Sequence, residues 1–170
     1  GRYPEVSRII TEISEFAKIN SDLLGRKVLV TAGGTREAID PVRFIANHST
    51  GKQGYAVAKA ARNRGADVVL IAANSSLDDL PGVRTISVSS TAQMADALDK
   101  EFPTCEILIM AAAVADARPK SFSSDKIKKS NYQNIELEAN PDLLANISKK
   151  RSGNQVLVAF AAETLPLNSE

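Results

Sequence analysis

The chain has 170 residues, 44% hydrophobic and 24% charged, with a formal net charge of +1. That size and balance suit one α/β domain and supply no bulk positive charge for nucleic acid or an anionic membrane. No apolar run approaches the roughly 18 residues of a membrane span, no charged-then-apolar leader is present, and the lone Cys105 rules out a disulfide framework. The expected setting is therefore the reducing cytoplasm.

Residues 1–26 read as a linker with a helix. Ile9, Ile10, Ile13 and Phe16 recur at helical spacing and leave one apolar face, and Leu23-Leu24-Gly25 ends it. From residue 27 onward strand and helix patterns alternate. Strands are predicted over 27–31, 67–73, 84–87, 107–112 and 155–161, and helices over 52–64, 91–102 and 141–150. Such alternation implies βαβ units: a Rossmann-like, three-layer α/β fold with a mostly parallel sheet. Arg64-Gly65-Ala66 reads as a helix C-cap leading into a strand, and Ser90 as the N-cap of the helix after it. With no tryptophan and 5% aromatics, the core must come from Ala, Val, Leu and Ile, which suits close packing of helices on a parallel sheet.

Two stretches escape the alternation, residues 36–50 and 117–139. Both follow carboxyl ends of predicted strands, where open α/β sheets bind ligands. The first opens at Gly33-Gly34, where the backbone could approach a phosphate or merely turn tightly. A Rossmann G-x-G-x-x-G is absent, and Gly51-Lys52 is followed by Gln53, so there is no Walker A loop. Tyr55 and Lys59 match the Y-x-x-x-K pair of short-chain reductases, but on the first helix after the first strand, where the match reads as chance. Arg43 offers a planar fork for phosphate or carboxylate; it would equally serve as a solvated residue or a partner of Asp40 or Glu37. Asn47 carries an amide that capping does not explain, whereas Ser49 or Thr50 reads by default as an N-cap. Lys52, in a first helical turn, opposes the helix dipole unless it meets an anion.

The run from Ile107 to Asp116 reads as a buried strand ending in small residues and a carboxylate. The small residues leave room for a ligand or for tight packing. Asp116 could accept from an amino group or ribose, or cap a turn. Lys126-Ile127-Lys128-Lys129 suits a short strand or flap. It is a solvated face, or, if it stands over a phosphate corner, an electrostatic clamp.

Five segments then occur in one order: AGGTREAIDPVRFIANHSTGKQG (32–54), AAVAD (112–116), DKIKK (125–129), NPD (140–142) and FAAET (160–164). Together they resemble phosphopantothenate–cysteine ligase, and most closely the second domain of the bacterial bifunctional flavoprotein of coenzyme A biosynthesis. The resemblance covers nearly the whole chain. It implies that CTP activates 4′-phosphopantothenate as an acyl-cytidylate, and that L-cysteine then displaces CMP to form the amide. It assigns Asn47, Arg43 and Lys126 to catalysis, with Arg43, Asn47, Ala112 and Ala113 at the acyl substrate. The CTP site it implies takes Gly33, Gly34, Ser49, Met110, Ala111 and Ala112. Asp116, Lys126, Pro141, Asp142, Leu143, Leu144 and Phe160 complete it.

Mg²⁺ is expected with the triphosphate and no protein metal cluster is assigned. A homodimer is implied, as is an amino-terminal flavin-dependent decarboxylase in the full protein. No flavin is expected here. The resemblance further implies that the ligase domain, 27–170, is C-terminally incomplete: family members follow FAAET with a lysine-bearing helix, where this chain has LPLNSE. The competing readings are a nicotinamide-dependent reductase of the short-chain type and a non-catalytic dimerisation fragment.

Overall fold

A computed structural model describes residues 4–19, 21–129 and 134–162. Helix α1 (Val6–Ile19) precedes β1 (Lys27–Gly33). A short antiparallel ribbon of β2 (Arg36–Ala38) and β3 (Phe44–Ala46) follows, then α2 (Lys52–Asn63), β4 (Asp67–Ala73), β5 (Arg84–Val88) and α3 (Thr91–Glu101). A 3-10 turn, Phe102–Thr104, leads into β6 (Ile107–Met110). A second ribbon, β7 (Ala117–Pro119) with β8 (Leu137–Ala139), comes before α4 (Leu143–Lys150) and β9 (Val156–Ala159).

Five strands form one parallel sheet in the order β5-β4-β1-β6-β9. The period of two along β1 divides its side chains between two cores. Val28, Val30 and Ala32 pack with Val68, Leu70 and Ala72 of β4 beneath Tyr55, Ala58 and Ala61 of α2. Leu29 faces the other way, into a core with Ile71, Leu108, Met94, Leu98, Phe102, Leu143 and Ile147. Helix α2 thus covers one face and α3 with α4 the other, giving the three layers expected. Burial of each such aliphatic side chain stabilises the fold by about 1.5–3 kcal/mol. Helix α2 lies so close to β1 that a Cβ on Gly54 would sit 2.5 Å from the Ala32 Cβ and 2.8 Å from the Thr31 carbonyl oxygen.

Several boundaries differ from the sequence reading, each for a local reason. Strand β6 ends at Met110; beyond it the Ala112 N–H donates to the Thr31 hydroxyl at 3.2 Å, while the Ala111 and Ala113 N–H groups still donate to the Thr31 and Gly33 carbonyls. Strand β9 starts after Gln155, whose side chain turns inward to the Phe102 and Cys105 carbonyls. The N-cap position of α2 is Gly51, in left-handed conformation with φ of 79°, one or two residues past the expected Ser49 or Thr50, whose hydroxyls still accept from the Gly51 N–H at 3.3 Å and the Lys52 N–H at 3.4 Å respectively. Helix α4 begins at Leu143, with Asp142 as the cap accepting from the Ala145 N–H at 2.8 Å. Ser90 does cap α3, and Gly65, with φ of 89°, does end the turn after α2.

The two stretches left outside the alternation each contain a ribbon. Lys126, Ile127 and Lys128 form no strand. On α1, Val6, Ile10 and Ile13 are exposed, so the domain does not cover the predicted apolar face. Phe16's side chain, Glu163 and Thr164 of the fifth segment, and the rest of residues 163–170 lie outside the described residues. No helix among the described residues is long and apolar enough to cross a membrane.

Candidate functional site

Strand β1 lies between β4 and β6, with α2 and α3 on opposite faces of the sheet. Its carboxyl end is the switch point at which open α/β folds place ligands. Gly33-Gly34 forms that end. Gly33 has φ of 81°, and a Cβ there would lie 1.9 Å from the Ala73 carbonyl oxygen. The Gly34 N–H donates to the Ala73 carbonyl at 3.1 Å, and the Gly33 carbonyl accepts from the Ala113 N–H at 2.8 Å. The double glycine therefore meets the protein's own backbone, as in the tight-turn reading.

Buried hydroxyls shape the loop that follows β6. Thr31 and Thr35 are both fully buried. The Thr35 hydroxyl accepts from the Ala115 N–H at 2.9 Å and lies 3.1 Å from that of Thr91. Glu37, on β2, accepts from the Thr91 N–H at 2.9 Å and the Thr91 hydroxyl at 2.8 Å. This sets a carboxylate at the positive end of α3. Asn140 donates to the Ala115 carbonyl at 2.8 Å, while its own N–H donates to the Asp116 carbonyl at 2.8 Å. Ala112 to Asp116 and the NPD segment are thereby one unit.

Asn47 joins that unit to the loop before α2. Its Nδ2 donates to the Val114 carbonyl at 2.9 Å. Two open cavities lie alongside and share His48 and Ser49 as a dividing ridge. The larger, about 510 Å³, is lined by residues 48–53 and Ala111. It receives Lys52 and the first turn of α2, where the N-cap residue Gly51 has no side chain and the Thr50 hydroxyl accepts from the Lys52 N–H at 3.4 Å. A helix start carrying a lysine is suited to an anion. The smaller, about 320 Å³, is lined by Gly34, Arg36, Phe44, Asn47 and Asn74 among others. Asn74, with φ of 48°, donates to the Gly34 and Ser89 carbonyls at 2.9 and 2.8 Å. Arg36 stacks over the Phe44 ring at 4.6 Å.

Arg43 is paired with Asp40. Its Nε donates to Asp40 Oδ2 at 2.9 Å, its Nη2 bonds the same oxygen, and Nη2 also donates to the Ile127 carbonyl at 2.9 Å. The Arg43 guanidinium, followed by the N–H groups of Val42 and Ile127, holds the Asp40 carboxyl well below the usual carboxylate range.

The structure thus gathers Gly33, Gly34, Asn47, Ser49, Ala111, Ala112 and Ala113 at the switch point. Asp116 and Pro141 stand nearby on the Asn140 unit, both exposed, and Asp142 caps α4. Phe160 follows β9, is half-exposed, and donates its N–H to the Met110 carbonyl at 3.0 Å. Met110 and Leu143 have their side chains in the α3-side core, so their backbones are what a ligand would meet. Leu144 is exposed on α4, and Lys126 is exposed and lines neither cavity. Tyr55 is buried on the sheet-facing side of α2, in the core with β1 and β4.

Sequence reasoning gave no separate role to Thr31, Thr35, Asn74 or Asn140, and named Glu37 only as an alternative partner of Arg43. A threonine inside an apolar strand run and an asparagine before a proline were the available signals. The backbone conformation of Asn74 gave none. Among the described residues no group of three or more His, Cys, Asp or Glu could hold a metal.

The model of the DNA/pantothenate metabolism flavoprotein C-terminal domain family matches residues 23–170. The coenzyme A biosynthesis bifunctional protein CoaBC of Mycobacterium bovis is 50% identical over all of this chain, which spans 44% of that relative's length. CoaBC of Vibrio cholerae is 47% identical over 96% of the chain and 42% of its own length. The crystal structure of a CoaBC C-terminal domain superposes with a TM-score of 0.75 at 40% identity, over 85% of this chain and 68% of that one.

Proposed function

The chain belongs to the DNA/pantothenate metabolism flavoprotein C-terminal domain family, and on that premise we propose that it carries the phosphopantothenate–cysteine ligase activity of coenzyme A biosynthesis. In this reading the carboxylate of 4′-phosphopantothenate attacks the α-phosphorus of CTP and pyrophosphate leaves. The amine of L-cysteine then attacks the acyl carbon, and CMP departs as the amide forms. No covalent enzyme intermediate is needed, because the nucleotide supplies the leaving group.

The observation that carries the proposal is the convergence of the first two motif segments on the switch point, joined by the Asn47–Val114 hydrogen bond. The Asn47 amide would stabilise negative charge on the acyl oxygen as the amine attacks. The start of α2 with Lys52, and Lys126 from the flap, would meet phosphates. Arg43 would serve the acyl substrate. Mg²⁺ would arrive on the triphosphate, held by its oxygens and water. We further propose a homodimer, and a flavin-dependent decarboxylase as the remainder of the longer protein.

Calorimetric titration of the 170-residue chain with CTP and Mg²⁺, with NADPH as control, tests the reading. CTP binding without an NADPH signal supports it. NADPH binding would replace it with a reductase, and silence with both would leave the chain a non-catalytic fragment.

A further inference from the structure

Two of the site's motifs meet at one buried carboxylate. Asp40 and Ile127 stand 87 residues apart, yet the Ile127 N–H donates to Asp40 Oδ2 at 3.2 Å. The Asp40 side chain has no exposed surface. Its other oxygen accepts from the Val42 and Arg43 N–H groups, both at 2.9 Å. Arg43, paired with Asp40, completes the grip by donating to the Ile127 carbonyl at 2.9 Å. Both backbone groups of Ile127 are therefore held by a single ion pair on the β2–β3 ribbon. A third bond, from the Ser123 N–H to the Ile39 carbonyl at 3.1 Å, fixes the same segment upstream.

We propose that Asp40 is a positioning residue: through Arg43 it docks the segment around Ile127 on the β2–β3 ribbon, and so sets where Lys126 and Lys128 stand. The functional half of the inference rests on the reading of Lys126 as a phosphate contact. An exposed lysine on a loose loop must lose backbone as well as side-chain freedom on binding; on a docked backbone only the side chain is ordered. Removing the carboxylate takes from Arg43 its buried partner and leaves the Ile127 N–H without its acceptor, so the segment is released.

The test compares wild type with Asp40→Ala, Lys126→Gln and the double variant. Asp40→Glu, which keeps the charge but displaces the carboxylate by one methylene, takes the place of Asp40→Ala if that variant does not fold. Amide exchange of residues 123–129 in the ligand-free chain should quicken roughly tenfold or more in the Asp40 variant, with that of β1 unchanged. CTP affinity should fall in both single variants, and the double variant should lose little beyond Lys126→Gln alone, because the two losses share one cause. Unchanged exchange at 123–129 would overturn the docking. Faster exchange with CTP losses that multiply independently would overturn the positioning of Lys126. Absence of CTP binding in the wild type would defeat the nucleotide reading instead, and the exchange result would still decide the docking.

Discussion

Asn47 gives its side-chain amide to the carbonyl of Val114, 67 residues further along, at 2.9 Å. The bond holds the loop before α2 against the loop after β6. In Asn47→Asp a carboxylate oxygen would face the Val114 carbonyl and the donor would be lost. Under the proposed function CTP should still bind, while conversion of the acyl-cytidylate slows by roughly 10²–10³-fold, the usual effect of removing one oxyanion donor. Single-turnover assays that follow pyrophosphate and CMP release separately would show it. Equal CMP release by the variant would remove Asn47 from the chemistry.

Lys126 should matter to binding more than to the chemical step. Lys126→Gln removes one charge-assisted phosphate contact, so the Kd for CTP should rise roughly ten- to hundredfold. Thermal stability should be unchanged, because the side chain is exposed and has no hydrogen bond or ion pair among the described residues. An unaltered Kd would make the run a solvated face.

Gly54→Ala should reverse the usual helix rule. Alanine in place of glycine within a helix ordinarily stabilises by about 1 kcal/mol. Here the new Cβ would meet the Ala32 Cβ at 2.5 Å and the Thr31 carbonyl oxygen at 2.8 Å. The neighbour is strand backbone that cannot withdraw, so a net loss of about 1–3 kcal/mol is expected. Urea denaturation measures it, and a gain in stability would contradict the packing of α2 on β1.

Glu37 caps α3 from a different element, and its two bonds to Thr91 are both within the interior. Glu37→Ala would leave the Thr91 N–H without an acceptor, a loss of about 1–3 kcal/mol. Glu37→Gln keeps an acceptor oxygen and should lose much less. Equal destabilisation by both would mean that the charge, not the hydrogen bonds, is what α3 requires.

Cys105 is buried, and burial pushes its thiol from about 9 up to about 11. Between those values the unfolded chain releases its proton while the folded chain keeps it, so stability falls as pH rises through that window. A pH series of urea melts should show that decline, and Cys105→Ala should flatten it. At pH 8 a thiol reagent should label Cys105 only as fast as the chain opens.

The parallel sheet was legible because its strands are short runs of β-branched and small apolar residues, most of them separated by helical patterns. The boundaries that failed did so where local hydrogen bonds intervene. The Thr31 hydroxyl takes the Ala112 N–H just past β6, and before β9 the Gln155 N–H is held by the Ser152 carbonyl. The ribbons β2–β3 and β7–β8 escaped notice because three-residue strands carry too few residues to show a period.

The sequence by itself determined the layered α/β class, the segments that carry the site and the family they resemble, because periodicity and ordered motifs are local properties of the chain. Tertiary structure alone decided which motifs touch. The order β5-β4-β1-β6-β9 brings the end of β1 beside the end of β6, and only that neighbourhood sets Asn47 on Val114 and Asp40 on Ile127. Hydrogen-bond partners dozens of residues apart are chosen by strand order and loop path, and no local pattern encodes them.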